Sequence, residues 1–391
     1  MKREMRIGVL VDMIVRLGRE VAAGVASYGH LADWELLTQP IWRVTDRTLS
    51  GLFDADGIIF SAYGPDIVEQ ALLRKMPVVN VSNMLVSYPM PSVLVDSAAI
   101  GRLAAEHLMD TGAKTLAVDV AYRDQPLQWA IDRAKAFVDA GRAAGLPIYA
   151  SGLDFEGLAA PIPDPSHDAH IAWLRTLPRQ VGIFACNDQN ALDVLHDCRQ
   201  AGLSVPDDAT VLGCDNDELL NRFAKPAMSS IMVDFERQGY LAAELLDRQL
   251  QGERVKPNER IMILPSGVMR RASTETLSID DPDVAQAMKF IIDNVRRAIG
   301  VNDVVAATGV SRRTLETRFR SARGRSLLQE IIRVRIERAK RLLTETQLKL
   351  DAVARECGFG SRVRLSIVFK ELTRVSPEEW RKSHGRPRDK A

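Results

Sequence analysis

Hydrophobic and polar positions divide the chain into two regimes. Over residues 6–265, short apolar runs alternate with amphipathic segments. The runs are RIGVLV, ADGIIFS, PVVNVS, SVLVD, TLAVDV, VGIFACND and TVLGCD. Between them, GREVAAGVASYGHL, SAAIGRLAAEHLMDTG, QWAIDRAKAFVDAGRAAG and QNALDVLHDCRQAGL carry apolar residues at helical spacing. A strand that is apolar throughout, rather than at alternate positions, is covered on both faces, as in a parallel sheet wrapped by helices. Repeated βα units of this kind predict a doubly wound α/β architecture. About 260 residues exceed one typical open sheet, so two such lobes flanking a cleft are expected over residues 1–269. SSIMVD, FERQGYLAAELLDRQLQG and RIMILPS are expected to return and complete the first lobe.

The pattern changes at RRASTETLSIDDPD, which lacks an apolar period and is rich in Ser, Thr and Asp, so residues 270–284 read as a linker. Beyond it the spacing is helical, predicting an all-α unit over 285–385 and a polar tail at 386–391. Two segments of that unit match at an offset of 50 residues: Ser311, Arg312, Leu315, Phe319 and Ser326 recur as Ser361, Arg362, Leu365, Phe369 and Ser376. In each copy a short helix reaches a glycine turn, at Gly309 or Gly358, and a second helix opens on a serine suited to cap it. Leu315/Phe319 and Leu365/Phe369 are four apart and face one core, while arginines occupy other positions. This predicts two helix-turn-helix units joined by a long helix, able to reach successive major grooves about 34 Å apart.

Charge supports that assignment. The net charge of the whole chain is +1, but residues 282–391 hold 25 Lys and Arg against 13 Asp and Glu. The basic piece is the one suited to a polyanion, and double-stranded DNA is the expected partner. Arg312, Arg313, Arg362 and Arg364 are candidates for guanine edges, with phosphate contact the alternative for each.

The remaining chemistry is excluded more than identified. Four scattered cysteines without a CxxC pair predict buried, reduced thiols in a cytoplasmic protein, with no zinc. No run approaches the roughly 20 apolar residues of a membrane span. There is no HExxH, EF-hand loop, nucleophile elbow or Gly-rich phosphate loop, so neither an enzyme nor a metal or cofactor is expected. What remains is polar residues at strand ends, where α/β sheets bind ligands. These are Asp12 after RIGVLV, Asn187–Asp188 after VGIFAC, and Asp215–Asn216 after VLGC, together with Arg133 and Trp129 early in a helix. Singly, each is read as well as a cap, a surface ion pair or a half-buried aromatic. Together they suit a sugar: carboxylates accept from hydroxyls, Arg and amides donate, and an aromatic covers the apolar ring face. In VLGCDNDELLN, Asp217 and Glu218 are expected to open the next helix instead.

Two resemblances extend this reading. GVSRRTLETRF, RIERAKRLL, VARECGFGS, VFKEL and SPEEWR occur in order, and residues 285–383 resemble the DNA-binding domain of the arabinose-regulator (AraC) family. The resemblance places a base-contacting face on Arg312, Arg313, Glu316 and Thr317, then on Arg362, Val363, Arg364 and Ile367, with Val363 and Ile367 suited to thymine methyls. Val305, Leu365 and Arg374 depart from that pattern. VDSAAIGRLAAEHLMDTG, WAIDRAKAF, IFACNDQNALDVL, SVPDDATVLGCDND and SSIMVDFERQGYLAAELL resemble the periplasmic-binding-protein-type sensor of LacI-like repressors. That resemblance implies sugar contacts from Arg133, Asp188, Asp215 and Asn216. The first loop, DMIVRLGRE, is unusually apolar for such a site, and Val233 stands where a glutamine is common. A sensor placed before this type of DNA-binding domain resembles the xylose operon regulator group. It implies a homodimeric, sugar-responsive activator of pentose genes, most simply D-xylose genes. A regulator whose sensor has lost its sugar and serves dimerisation, or a sugar enzyme fused to a DNA-binding tail, are the alternatives.

Overall fold

The computed structural model describes residues 4–38, 54–61, 71, 74–85, 89–120, 127–151, 166–275, 281–323, 325–373 and 375–384. Two six-stranded sheets form two lobes. The first comprises β1 (Met5–Leu10), β2 (Trp34–Thr38), β3 (Gly57–Phe60), β4 (Val78–Asn80), β5 (Ser92–Val95) and β11 (Arg260–Ile263), in the order β11-β5-β4-β3-β1-β2, all parallel. The second comprises β6 (Thr115–Asp119), β7 (Ile148–Ser151), β8 (Val181–Ala185), β9 (Ala209–Cys214), β10 (Ser229–Met232) and β12 (Gly267–Met269), in the order β12-β10-β9-β8-β6-β7. Only β12 runs antiparallel to its neighbour among the described pairs. β3, β5, β6, β8 and β9 are buried at every position, as continuous apolar runs require when helices cover both faces.

Helices α1 (Arg16–Ala32) and α7 (Phe235–Leu250) cover the first lobe. The second is covered by α2 (Ser97–Asp110), α3 (Gln128–Ala143), α4 (His167–Thr176) and α5 (Asp188–Ala201), and the short α6 (Glu218–Asn221) follows β9. The chain crosses between lobes after β5, after β10 and after β11. One expectation is corrected here. SSIMVD forms β10 in the second sheet, parallel to β9, whereas α7 and β11 do return to the first lobe. An apolar run carries no signal for which of two similar sheets it joins.

The first part of the expected linker is also built in. Ser273 and Thr274 are buried in a single 3₁₀ turn beside β9 and β10. Ser273 Oγ donates to Val211 O at 2.6 Å and accepts from Ser229 N at 2.8 Å. Thr274 Oγ1 lies 2.7 Å from Ser229 Oγ and 3.0 Å from His107 Nε2. Small hydroxyl residues that look like linker composition here satisfy buried backbone groups. Residues 276–280 lie outside the described residues.

The C-terminal unit contains α8 (Pro282–Asp293), α9 (Val301–Thr308), α10 (Arg312–Arg323), α11 (Leu327–Glu345), α12 (Leu350–Glu356), α13 (Arg362–Thr373) and α14 (Pro377–His384). Gly309 and Gly358 turn the chain at φ 72° and 65°, and Ser311 and Ser361 accept from Thr314 N and Arg364 N. Each helix-turn-helix has its own core at one end of α11. Leu315 and Phe319 pack with Val284, Met288 and Ile331; Leu365 and Phe369 pack with Val353, Leu343 and Trp380. The four repeat residues are fully buried, and each contributes about 1.5–3 kcal/mol by leaving water.

α11 also docks on the second lobe. Arg325 reaches Asp110 of α2 at 3.0 Å, and Met232 packs against the core of the second helix-turn-helix. Arg270 is half-buried at this junction, where desolvation and the neighbouring Arg333 push its guanidinium down to about 10. Glu330, fully buried, holds Arg333 through both carboxylate oxygens.

Candidate functional site

A cavity of about 480 Å³ opens between the lobes at the carboxyl ends of both sheets, in the range of small-molecule sites. The second lobe supplies most of its charge. Trp129 and Arg133 stand four apart near the start of α3, with the Arg133 guanidinium 4.7 Å from the centre of the Trp129 ring. Arg133 is 5% exposed; it donates to Cys186 O at 2.5 Å and lies 3.6 Å from Asp215 Oδ1. α2 and α3 cross backbone to backbone at this level: a Cβ on Gly101 would meet Arg133 O at 2.1 Å. Arg133 Nε and Asp215 Oδ1 are buried without a hydrogen-bond partner, a state that is costly unless a polar ligand meets them.

Asp188 opens α5 and is 2% exposed. Its Oδ1 lies 2.5 Å from Ser230 Oγ, and its Oδ2 accepts from Asp217 N at 2.6 Å. Gly213 makes room for it, since a Cβ there would sit 2.3 Å from Asp188 Oδ1. Residues 215–217 are pinned at each backbone donor: Asp215 N to Ile231 O, Asn216 N to Ser230 Oγ, and Asp217 N to Asp188. That network holds Asp215 at φ 103° and Asn216 at φ 53°, conformations that cost a non-glycine residue about 1–3 kcal/mol. Asp217 then caps α6 through Leu219 N and Leu220 N, with Glu218 in the first turn.

Burial pushes the Asp188 carboxyl up to about 8, and neighbouring Asp215 adds to the rise. Burial also raises Asp215, against the opposing charge of Arg133. Folded Asp188 therefore keeps a proton that the unfolded chain releases near pH 3.9. Between those values the folded state binds more protons, so stability falls as pH rises toward 8 and then levels off. Asp188→Asn, isosteric with the neutral acid, is expected to flatten the fall in Tm between about pH 5 and pH 8 relative to the unaltered protein. An unchanged slope would mean that Asp188 is ionised throughout.

Of the seven residues singled out for a ligand, Trp129, Arg133, Asn187, Asp188 and Asp215 line the cavity together, with the Asn187 side chain also capping α5 through Asn190 N. Two do not. Asp12 accepts from Ile14 N at 2.9 Å and shapes the turn into α1, off the cavity wall. Asn216 turns away, its Oδ1 accepting from Arg271 Nη2 at 2.8 Å. The sequence reading missed Arg16, which extends from α1 into the cavity while paired with Glu20 at 2.7 Å, its Nη1 buried without a hydrogen-bond partner. Its signal was a pair of cations in DMIVRLGRE, Arg16 and Arg19, both of which line the cavity beside the apolar wall of Ile14, Val15 and Leu17. Ile14 and, across the cleft, Leu219 are 66% and 55% exposed.

On the C-terminal unit, Arg312, Arg313 and Thr317 are exposed and share a shallow concavity with Glu316 and Arg320. Arg312 pairs with Glu316 at 2.9 Å in a half-exposed contact, worth only about 0.2–1 kcal/mol and readily exchanged. On α13, Arg362, Val363, Arg364 and Ile367 are all exposed, Val363 and Ile367 at 64% and 62%. Two large apolar side chains in open solvent on an arginine-bearing helix form a surface fit for a partner.

The four cysteines are free and buried. Among the described residues, no helix is long and apolar enough to cross a membrane.

Comparison with known proteins agrees with this division. Residues 80–274 match the periplasmic binding protein-like domain, and residues 304–383 match a helix-turn-helix domain. The chain is 31% identical over 386 residues to the xylose operon regulatory protein of Escherichia coli (strain K12), covering 96% of each. It is 30% identical to the xylose operon regulatory protein of Haemophilus influenzae, covering 96% of this chain and 98% of that one. The solved structure of the xylose-binding transcription activator xylR superposes with a TM-score of 0.60 at 28% identity, over 98% of this chain and all of that one. With both domains matched in order and nearly the full length aligned, the chain belongs to the family of xylose operon regulatory proteins, sugar-responsive DNA-binding transcription regulators.

Proposed function

We propose that this protein is a D-xylose-responsive activator of pentose-catabolism genes, acting as a homodimer in the cytoplasm. The observation that carries the reading is the cavity, where buried Arg133 and half-buried Asp215 hold polar atoms without hydrogen-bond partners beside Trp129. Arg133 and Arg16 donate to sugar hydroxyls, Asp215 accepts from them, and Trp129 covers an apolar ring face. Closure of the lobes over the sugar brings Ile14 and Leu219 out of water, which favours the closed arrangement. The domain limits follow from the same division: a two-lobed sensor to residue 275 and a helical DNA-binding unit from residue 281.

The sugar shifts the regulator only if it prefers one arrangement, and each tenfold preference supplies about 1.4 kcal/mol. The transmission route is the chain following the sensor strands. Asn216 holds the Arg271 guanidinium, and the adjacent Arg270 lies half-buried against α11 beside Arg333. A sugar that moves the 215–217 turn therefore moves the seat of the DNA-binding unit.

A thermal-shift screen of pentoses and hexoses tests the sensor, with the largest rise expected for D-xylose. No shift with any sugar would assign the lobes to dimerisation, and product formation would assign them to catalysis. For the DNA face, Arg362→Ala is expected to weaken binding to the specific site more than binding to random duplex, by about 1–3 kcal/mol. Equal losses on both would make Arg362 a phosphate contact.

A further inference from the structure

Three of the chain's six histidines gather on the outer side of the second lobe, away from the sugar cavity. His167 and His170 lie one turn apart on α4, and His196, Asp197 and Gln200 lie on one stretch of the adjacent α5. His167, His196 and Asp197 each offer one ligand atom, and the three atoms lie within 4.8 Å of one another. Both imidazoles turn Nε2 toward the same point, where the Gln200 amide nitrogen sits 3.1 Å from His167 Nε2 and 2.8 Å from His196 Nε2.

The carboxylate is held in a way that ordinary surface ion pairs are not. Asp197 is 4% exposed, its Oδ1 lacks a hydrogen bond, and it lies 3.3 Å from His167 Nδ1. Its Oδ2 is fixed by His170 Nδ1 at 2.6 Å, and His170 in turn leans on Asp119, 1% exposed at the end of β6. A carboxylate oriented by an imidazole that is itself anchored on a second buried carboxylate is the outer-shell arrangement that tunes metal ligands.

We propose that His167, His196 and Asp197 bind one divalent transition-metal ion of the zinc class. Two imidazoles and a carboxylate suit that class and leave a coordination position open. The Gln200 amide holds the place until the ion arrives and then swings aside. The ion clamps α4 to α5 about 12 Å along the helix axis from Asp188, so it steadies the lobe that carries most of the sugar site's charge. No local motif marks the site, because its halves come from two helices separated by β8.

The test uses full-length protein freed of any affinity tag and stripped with a chelator. Zn2+ is titrated against a chromophoric chelator, and Co2+ is followed by its visible d–d bands. One Zn2+ per chain is expected, with a low-symmetry Co2+ spectrum and a Zn2+-dependent rise in Tm. His167→Ala and His196→Ala change exposed residues and are expected to weaken binding by more than the roughly 10–100-fold typical of losing an outer-shell partner. Gln200→Ala is expected to keep the site, and His30→Ala, on the exposed side of α1, to leave binding unchanged. Stoichiometric binding that survives both His167→Ala and His196→Ala, or no binding to the stripped protein, overturns the proposal.

Discussion

Arg133→Met is expected to abolish the thermal stabilisation of the sensor by its sugar and to weaken sugar binding by at least about 100-fold. The substitution keeps most of the side chain's length and its contact with Trp129, but removes the cation between Cys186 O and Asp215. Arg133 is buried, and breaking a buried pair by removing one partner costs about 3–5 kcal/mol, because the other charge is left without compensation. Asp215 then follows the direction burial already drives it and takes up a proton. A neutral Asp215 beside a raised Asp188 leaves the cavity with two proton donors and no strong acceptor. Calorimetric titration with D-xylose, alongside Tm with and without sugar, measures the loss. Asp215→Asn, which preserves shape, is the companion: it should lose affinity less steeply, because Arg133 keeps its hydrogen bond to Cys186 O. An Arg133→Met protein with unchanged affinity would remove Arg133 from the site.

The parts of this molecule that were legible in the sequence are those set by local chemistry. Continuous apolar runs identified the central strands because burial on both faces leaves no polar alternation. β2, β7 and β12 escaped because they are edge strands: WELLT and GVM are partly exposed and IYAS, though largely buried, is interrupted by polar and small residues, so none forms a continuous apolar run. The two helix-turn-helix units were legible because turn glycine, capping serine and core pair recur at fixed offsets. In the cavity, Trp129, Arg133, Asp188 and Asp215 were found by their place after strands or on one helical face, and the geometry brings these four together. Asp12 and Asn216 share that sequence position, yet their side chains satisfy backbone or arginine donors elsewhere. Strand-end position says which loop faces the cleft and nothing about where a short polar side chain turns. Gly213 was invisible for a related reason: its role is to leave space for Asp188, 25 residues earlier in the chain, and only packing reveals it.

Arg271→Met is expected to separate sugar binding from the DNA response. Arg271 ties the end of the sensor to the 215–217 turn: Nη2 donates to Asn216 Oδ1 at 2.8 Å, Nη1 to Met228 O at 2.8 Å, and its backbone N to Ser229 Oγ at 2.7 Å. The next residue toward the N-terminus, Arg270, lies in the seat of α11 near Asp110, 3.8 Å away. Neither arginine lines the cavity, whereas Asp215, one residue before Asn216, does. Replacing the guanidinium leaves Arg133, Asp188 and Trp129 in place, so sugar affinity should change by no more than about threefold, or under 1 kcal/mol. The coupling should collapse. In a two-site regulator the factor by which sugar changes DNA affinity equals the factor by which DNA changes sugar affinity, and typical couplings are about 5–150-fold. Anisotropy of labelled operator DNA with and without D-xylose gives the first factor, and sugar titration with and without DNA gives the second. Both should fall toward one in Arg271→Met, while DNA affinity without sugar persists because α10 and α13 are untouched. A variant that keeps its full coupling would show that the signal reaches α11 by another contact, such as Arg325–Asp110. A variant that loses sugar binding altogether would make Arg271 a support of the 215–217 turn and leave transmission to be sought at that same contact.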